Sequence, residues 1–192
     1  MTTNTKRAIL DLGESLLQDK GFNGFSYAHI ANELGIKNAA VHYHFPTKED
    51  LVCKVVQRYR DRFQLWINNA RVKDLSPQEK LDWFFDIYAN TRADHGKVCI
   101  AGVLESEFNT IPDALRQQTE ALTNELLSWL AGTLEEGRVT GVFQFSGQPA
   151  DKAALILSSV QGALQMARAL GADKFQAVIQ QNKQDLLVPQ QV

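Results

Sequence analysis

Apolar residues recur at helical spacing along the whole of this chain. Ile9, Leu12, Gly13, Leu16 and Leu17 fall at i, i+3, i+4, i+7 and i+8, the stripe of an amphipathic helix, and Gly21 stands where that helix would stop. Ser26 is placed to cap a second helix that runs through Leu34 and ends at Gly35. A short third helix reaches about His44, where Phe45-Pro46 breaks it. Thr47, followed by Glu49 and Asp50, reads as an N-cap with acids in the first turn. The fourth helix carries Val52, Val55, Val56, Tyr59, Phe63 and Trp66 along one stripe to about Arg71.

A polar break at Lys73 to Pro77 ends this N-terminal part, and helical segments follow near 77–94, 98–108, 112–136, 150–170 and 173–187. The one strand-like piece, Gly137 to Pro149, reads as a connecting loop. The expectation is an all-α chain. Residues 1–50 form a three-helix helix-turn-helix domain, helix 47–71 connects, and 51–192 make a helical bundle.

The turn between the second and third helices is very tight. Ala31 is small where the helices cross, Gly35 permits the turn, and Val41 packs back from the third helix, which is the steric pattern of a helix-turn-helix. A helical hairpin that only packs would show the same three residues. With Val41 and Phe45 facing inward, Asn38, Ala39, His42 and Tyr43 are left outward, with Lys37 at the start of the face. Asn pairs with adenine edges and Ala lies against a thymine methyl. Ser26, Tyr27, Tyr43 and Lys48 are donors suited to phosphate oxygens.

Other chemistry is thinly represented. His42 and His44 project from nearly opposite sides of a helix, so they do not share a metal there. His29 and Glu33, at i, i+4, form a half-site that more often is a surface pair. There is no Gly-rich phosphate loop, CxxC, nucleophile elbow or HExxH, so no catalytic residue, metal or cofactor is expected.

Charge sharpens the division. Residues 1–75 hold 11 Lys/Arg against 8 Asp/Glu, and residues 76–192 hold 9 against 14, so a mildly basic first part precedes an acidic remainder. Only two cysteines are present, and neither a signal-peptide core nor a membrane-length apolar run is seen, which points to a reducing cytoplasm.

The run IANELGIKNAAVHYHFPTKEDL resembles the DNA-binding signature of TetR-type transcriptional regulators, and the helix lengths after it are similar too. The resemblance implies a repressor of double-stranded DNA. It implies a helical ligand-binding domain for a small-molecule effector, and a homodimer joined mainly through the last two long helices. By it, Ser26, Tyr27, Asn38, Ala40, His42, Tyr43 and Lys48 take the DNA-contacting positions. Two-fold symmetry then calls for a palindromic operator. Family members usually carry Tyr where this chain has His42, and often Gly or Pro at Ala39.

In the larger domain Leu81, Trp83, Phe84, Phe85, Ile87 and Tyr88 wrap most of the way round one helix, which must be buried on several sides. These side chains are either core or the lining of an apolar effector pocket. The candidate lining is Phe84, Tyr88, Arg92, Cys99, Val103, Trp129 and Gln165. Cys99 follows His95-Gly96-Lys97, where helix-start amides and cations favour a thiolate that an electrophilic effector would meet; an inert core thiol is the alternative. Some members of the resembled family carry a sensing cysteine after a similar His-Gly turn. The segment Ala153 to Leu170 is nearly free of charge, and Gly162, Ala163 and Ala167 would let another helix come close.

Overall fold

The computed structural model describes residues 2–93 and 97–186. Among them are ten helices. They are α1 (Thr2–Lys20), α2 (Tyr27–Leu34), α3 (Asn38–His44), α4 (Lys48–Ile67), α5 (Ala70–Lys73), α6 (Pro77–Ala93), α7 (Ile100–Ser106), α8 (Asp113–Val139), α9 (Pro149–Leu170) and α10 (Ala172–Gln184). The fold is all-α, an N-terminal helix-turn-helix followed by a helical C-terminal part.

The chain divides into two compact units, residues 1–65 with 100–122 and residues 66–99 with 123–192. In the first, Ile9, Leu17, Ile30, Val41, Leu51, Val52, Val55 and Val56 are fully buried. Gly13 admits Leu51, whose side chain would lie only 3.1 Å from a Cβ at that position. Burying side chains of this size contributes about 1.5–3 kcal/mol each, which is why the stripes of α1 and α4 fix the packing. Charges reinforce it: Arg58 of α4 pairs with Asp11 and Glu14 of α1, and Arg62 pairs with Glu14 at 2.5 Å.

In the second unit Trp66 and Trp83 stack with ring centroids 3.2 Å apart, and Trp129 meets Trp66 edge-on at 5.1 Å. Lys183 of α10 pairs with Asp82 of α6 at 2.6 Å, and Asn182 donates to the Ser159 hydroxyl of α9 at 2.9 Å.

Several boundaries differ from expectation, and the last helix ends at Gln184 rather than 187. The fourth helix ends at Ile67 rather than Arg71. There Asn69 takes an extended backbone and its side-chain oxygen accepts from the Arg71 N–H at 2.9 Å, capping the separate turn α5. The segment expected over 98–108 is helical from Ile100 to Ser106. α8 runs through Val139 rather than stopping before Gly137. Phe143 folds back on the helix, and its ring takes the space a Cβ at Gly137 would fill.

Candidate nucleic-acid interface

The turn that carries α3 is built as its residues require. Gly35 sits at φ 63°, in the left-handed region that favours glycine, and Ile36 donates to Ala31 O at 3.0 Å, closing the end of α2. Ala31 is buried at the crossing, and Val41 and Phe45 anchor α3 to the core.

That anchoring leaves the opposite side of α3 in solvent. Lys37, Asn38, Ala39, His42 and Tyr43 are exposed, Tyr43 to 78%, while Ala40 and His44 are half-buried. The face holds amide, imidazole, phenol and ammonium groups with no carboxylate among them. His42 donates from Nδ1 to Pro46 O at 3.0 Å and meets the Tyr27 ring edge-on, with 4.7 Å between centroids. His44 packs edge-on against Tyr43, 5.1 Å between centroids.

Two of the expected phosphate donors have internal partners. Tyr27 is buried, and its hydroxyl proton is shared between Phe45 O, at 2.9 Å, and Thr47 O. Burial, and secondarily the charge of Asp50, pushes its pKa well up, so the phenol stays protonated. Tyr27 therefore staples the end of α3 to the start of α4, and its proton is not available to a phosphate.

Lys48 donates to Phe22 O at 2.8 Å and Phe25 O at 3.1 Å, with its ammonium 4.2 Å from the Phe22 ring centroid. An ammonium has three donors, so one remains for an oxygen outside the fold. Burial lowers its pKa, and the Glu107 carboxylate opposes that shift.

Ser26 is exposed at the start of α2 and donates its backbone N–H to His29 Nδ1 at 3.0 Å. His29 thus occupies the place a Glu usually takes in a capping box, rather than serving with Glu33 as a ligand pair. Among the described residues no group of three or more His, Cys, Asp or Glu could hold a metal ion. Thr47 caps α4 reciprocally with Asp50: the Thr47 N–H donates to Asp50 Oδ2 and the Asp50 N–H to Thr47 Oγ1, both at 3.0 Å.

Sequence reading missed Glu107. Its carboxylate accepts the Phe22 N–H at 2.5 Å and the Asn23 N–H at 3.2 Å, across 85 and 84 residues of chain. Nothing near Glu107 in the sequence signals it.

The candidate effector residues separate. Phe84, Tyr88 and Trp129 form one aromatic cluster, with Phe84 5.0 Å from Tyr88 and 6.1 Å from Trp129 between centroids. Cys99 joins it, buried, its S–H donating to the Tyr88 oxygen at 3.8 Å. Cys99 is thus a packed donor, and α7 begins only at the next residue. Val103 is buried in the other unit, and Gln165 is exposed on α9. The side chain of Arg92, with His95 and Gly96, lies outside the described residues.

Phe84 and Tyr88 are 1% and 3% exposed, so this part of the cluster is closed core. A groove of about 280 Å³ lies along α8 instead. Ile67, Lys73, Lys80, Trp129, Thr133 and Glu136 are among its walls, and of the candidate lining it includes Trp129 alone among the described residues. Lys80 and Glu136 are paired there at 2.7 Å.

Residues 9–55 match the family described as bacterial regulatory proteins, tetR family. A TetR-family transcriptional regulator of Agrobacterium tumefaciens has a structure similar to this one at TM-score 0.91 and 30% identity, covering 98% of this chain and 100% of that one. A TetR transcriptional regulator of Legionella pneumophila superposes at TM-score 0.80 with 32% identity, over 93% of this chain and 95% of the other. The transcriptional repressor NemR of Escherichia coli K12 is 20% identical over 163 residues, 83% of this chain and 82% of NemR. Full-length likeness at this identity, with the helix-turn-helix matched separately, places this chain in the TetR family of DNA-binding transcription regulators, which are not enzymes.

Proposed function

We propose that this protein is a cytoplasmic repressor that binds a palindromic operator as a homodimer and leaves it when a small apolar or electrophilic effector binds. In this reading residues 1–50 meet the DNA, helix 47–71 connects, and residues 51–192 hold the effector and the dimer contact. The observation that carries it is the face of α3: Asn38, Ala39, His42 and Tyr43 are exposed and free of acid, while Val41 and Phe45 hold the helix rigidly from behind.

Asn38 and Ala39 are sized to read base edges, and Lys37, Tyr43 and the third donor of Lys48 to meet phosphates. The exposed apolar residues of α9, Leu155, Met166 and Leu170, run along one side of that helix with Gly162 between them, and support pairing with a second copy. Relatives named as repressors, NemR of Escherichia coli and DhaR of a Mycobacterium, support repression over activation. An effector releases DNA only by binding the DNA-free conformation more tightly than the DNA-bound one.

Selection from random duplexes tests the proposal. The expected result is an inverted repeat with half-site centres about 10 base pairs apart or a multiple of that. Affinity should fall linearly on a log–log plot against salt. Enrichment of no sequence, or of an asymmetric one, would overturn it.

A further inference from the structure

The turn between α1 and α2 is gripped from two sides. Its donors go to Glu107: Phe22 N–H at 2.5 Å and Asn23 N–H at 3.2 Å, with the Asn23 side chain adding bonds to Glu107 at 3.3 Å and Thr110 at 2.9 Å. Its acceptors go to Lys48, which takes Phe22 O and Phe25 O. Gly21 makes the approach possible. It sits at φ 75°, and a Cβ there would lie 2.8 Å from a Glu107 carboxylate oxygen.

Glu107 belongs to none of the three DNA-binding helices; it follows α7, in the segment 100–122 that packs within the same unit. The turn it holds leads directly through Phe25 into the first residue of α2. α2 in turn fixes α3 through Gly35, and Lys48 at the start of α4 closes the loop. Charge-assisted bonds are short and roughly twice as strong as neutral ones, so the Glu107 carboxylate, with the Lys48 ammonium opposite it, sets the placement of the turn.

We propose that Glu107 is a positioning residue for the DNA-binding helices, its carboxylate setting the α1–α2 turn so that DNA affinity follows the position of the segment that carries it. The proposal rests on the DNA-binding reading above and deepens it. A movement of residues 107–110 reaches α3 without passing through α4.

The test compares variants on the duplex that the wild type selects, together with amide hydrogen exchange at Phe22 and Asn23. Glu107→Ala should deprotect both amides and weaken DNA binding at least tenfold, with the thermal midpoint little changed. Glu107→Gln retains an acceptor oxygen and should recover part of both. Gln118→Ala removes a different tie of the same segment, the 2.9 Å bond from Arg60, and should leave affinity within about twofold of wild type.

Wild-type affinity in Glu107→Ala, or an equal loss in Gln118→Ala, overturns the proposal. Should Glu107→Ala fail to fold, Gly21→Ala displaces the carboxylate instead, and unchanged affinity there overturns it equally. A wild type that selects no duplex sinks the DNA reading and this role together, while amide protection at Phe22 and Asn23 still reports whether the clamp exists.

Discussion

α3 and α9 both leave large side chains in solvent, and they do so in opposite ways. On α3 the exposed residue is Tyr43, 78% accessible, set among Lys37, Asn38 and His42. On α9 the exposed residues are Leu155, Met166 and Leu170, and the small residue Gly162 lies between them. A face of donors spaced by small residues suits phosphates and base edges, which are polar and wet. A face of aliphatics around a glycine suits the apolar centre of a contact between subunits. The two helices are amphipathic in the same sense, but the chemistry of the face left over differs, and the proposed function assigns DNA to the first and a second copy to the other.

The most disruptive way to break the comparison is to make the α9 face resemble a wet one. Leu155→Glu combined with Met166→Glu should shift the protein from dimer to monomer in sedimentation velocity and lower operator affinity at least a hundredfold, because two tethered half-site contacts become one. A wild type already monomeric at micromolar concentration, or a variant that stays dimeric, would remove α9 from the interface.

Blunting the α3 face should be milder and should leave assembly alone. Tyr43→Ala removes an exposed side chain with no core role, so the unfolding midpoint should hold. DNA affinity should fall about tenfold, roughly 1.4 kcal/mol, in a fluorescence anisotropy titration. Loss of stability instead of affinity would make Tyr43 a packing residue.

Tyr27 sharpens the contrast from behind the face. Tyr27→Phe should cost about 1 kcal/mol in urea unfolding, the net worth of a buried hydrogen bond, with a smaller effect on DNA binding. Its pKa is raised in the folded state, so the stability it contributes is complete below the unfolded phenol's value near 10 and is lost as pH rises above it. Wild-type stability should fall along that alkaline limb more steeply than that of the phenylalanine variant. Parallel limbs would contradict the buried donor.

The smallest effect concerns Cys53. Burial first, then Glu49 and Asp50, pushes its thiol pKa up, so little thiolate is present at neutral pH. Iodoacetamide should modify Cys53 more slowly than an unfolded control, and Cys53→Ser should bind DNA like wild type. Rapid alkylation at pH 7 would contradict the assignment.

The helix-turn-helix was legible because its signals are local. Ala31, Gly35 and Val41 lie within eleven residues, and each acts on its neighbour through sterics that periodicity exposes. Thr47 with Asp50 was legible for the same reason. Glu107 was not, since its partners are 84 and 85 residues away and a carboxylate after a short helix has no local signature. Tyr27 and Lys48 were read as outward donors from residue type and resemblance, whereas Phe45 O and Thr47 O take the Tyr27 proton and Lys48 gives two of its three donors to Phe22 O and Phe25 O in the α1–α2 turn. The aromatic helix α6 gave no way to tell core from pocket. Packing decides that, and it closed Phe84 and Tyr88 while leaving Trp129 on the groove.

The central claim is that α3 reads sequence. The direct measurement is the affinity of wild type and Asn38→Ala for a panel of single-base-pair changes across the selected duplex. A side chain on a base edge discriminates by about 1–3 kcal/mol, so the variant should lose its preference at one position in each half-site, the two related by symmetry, and keep it elsewhere. An unchanged ranking across the whole panel would contradict the account, because Asn38 would then touch no base and α3 would not be the reading helix.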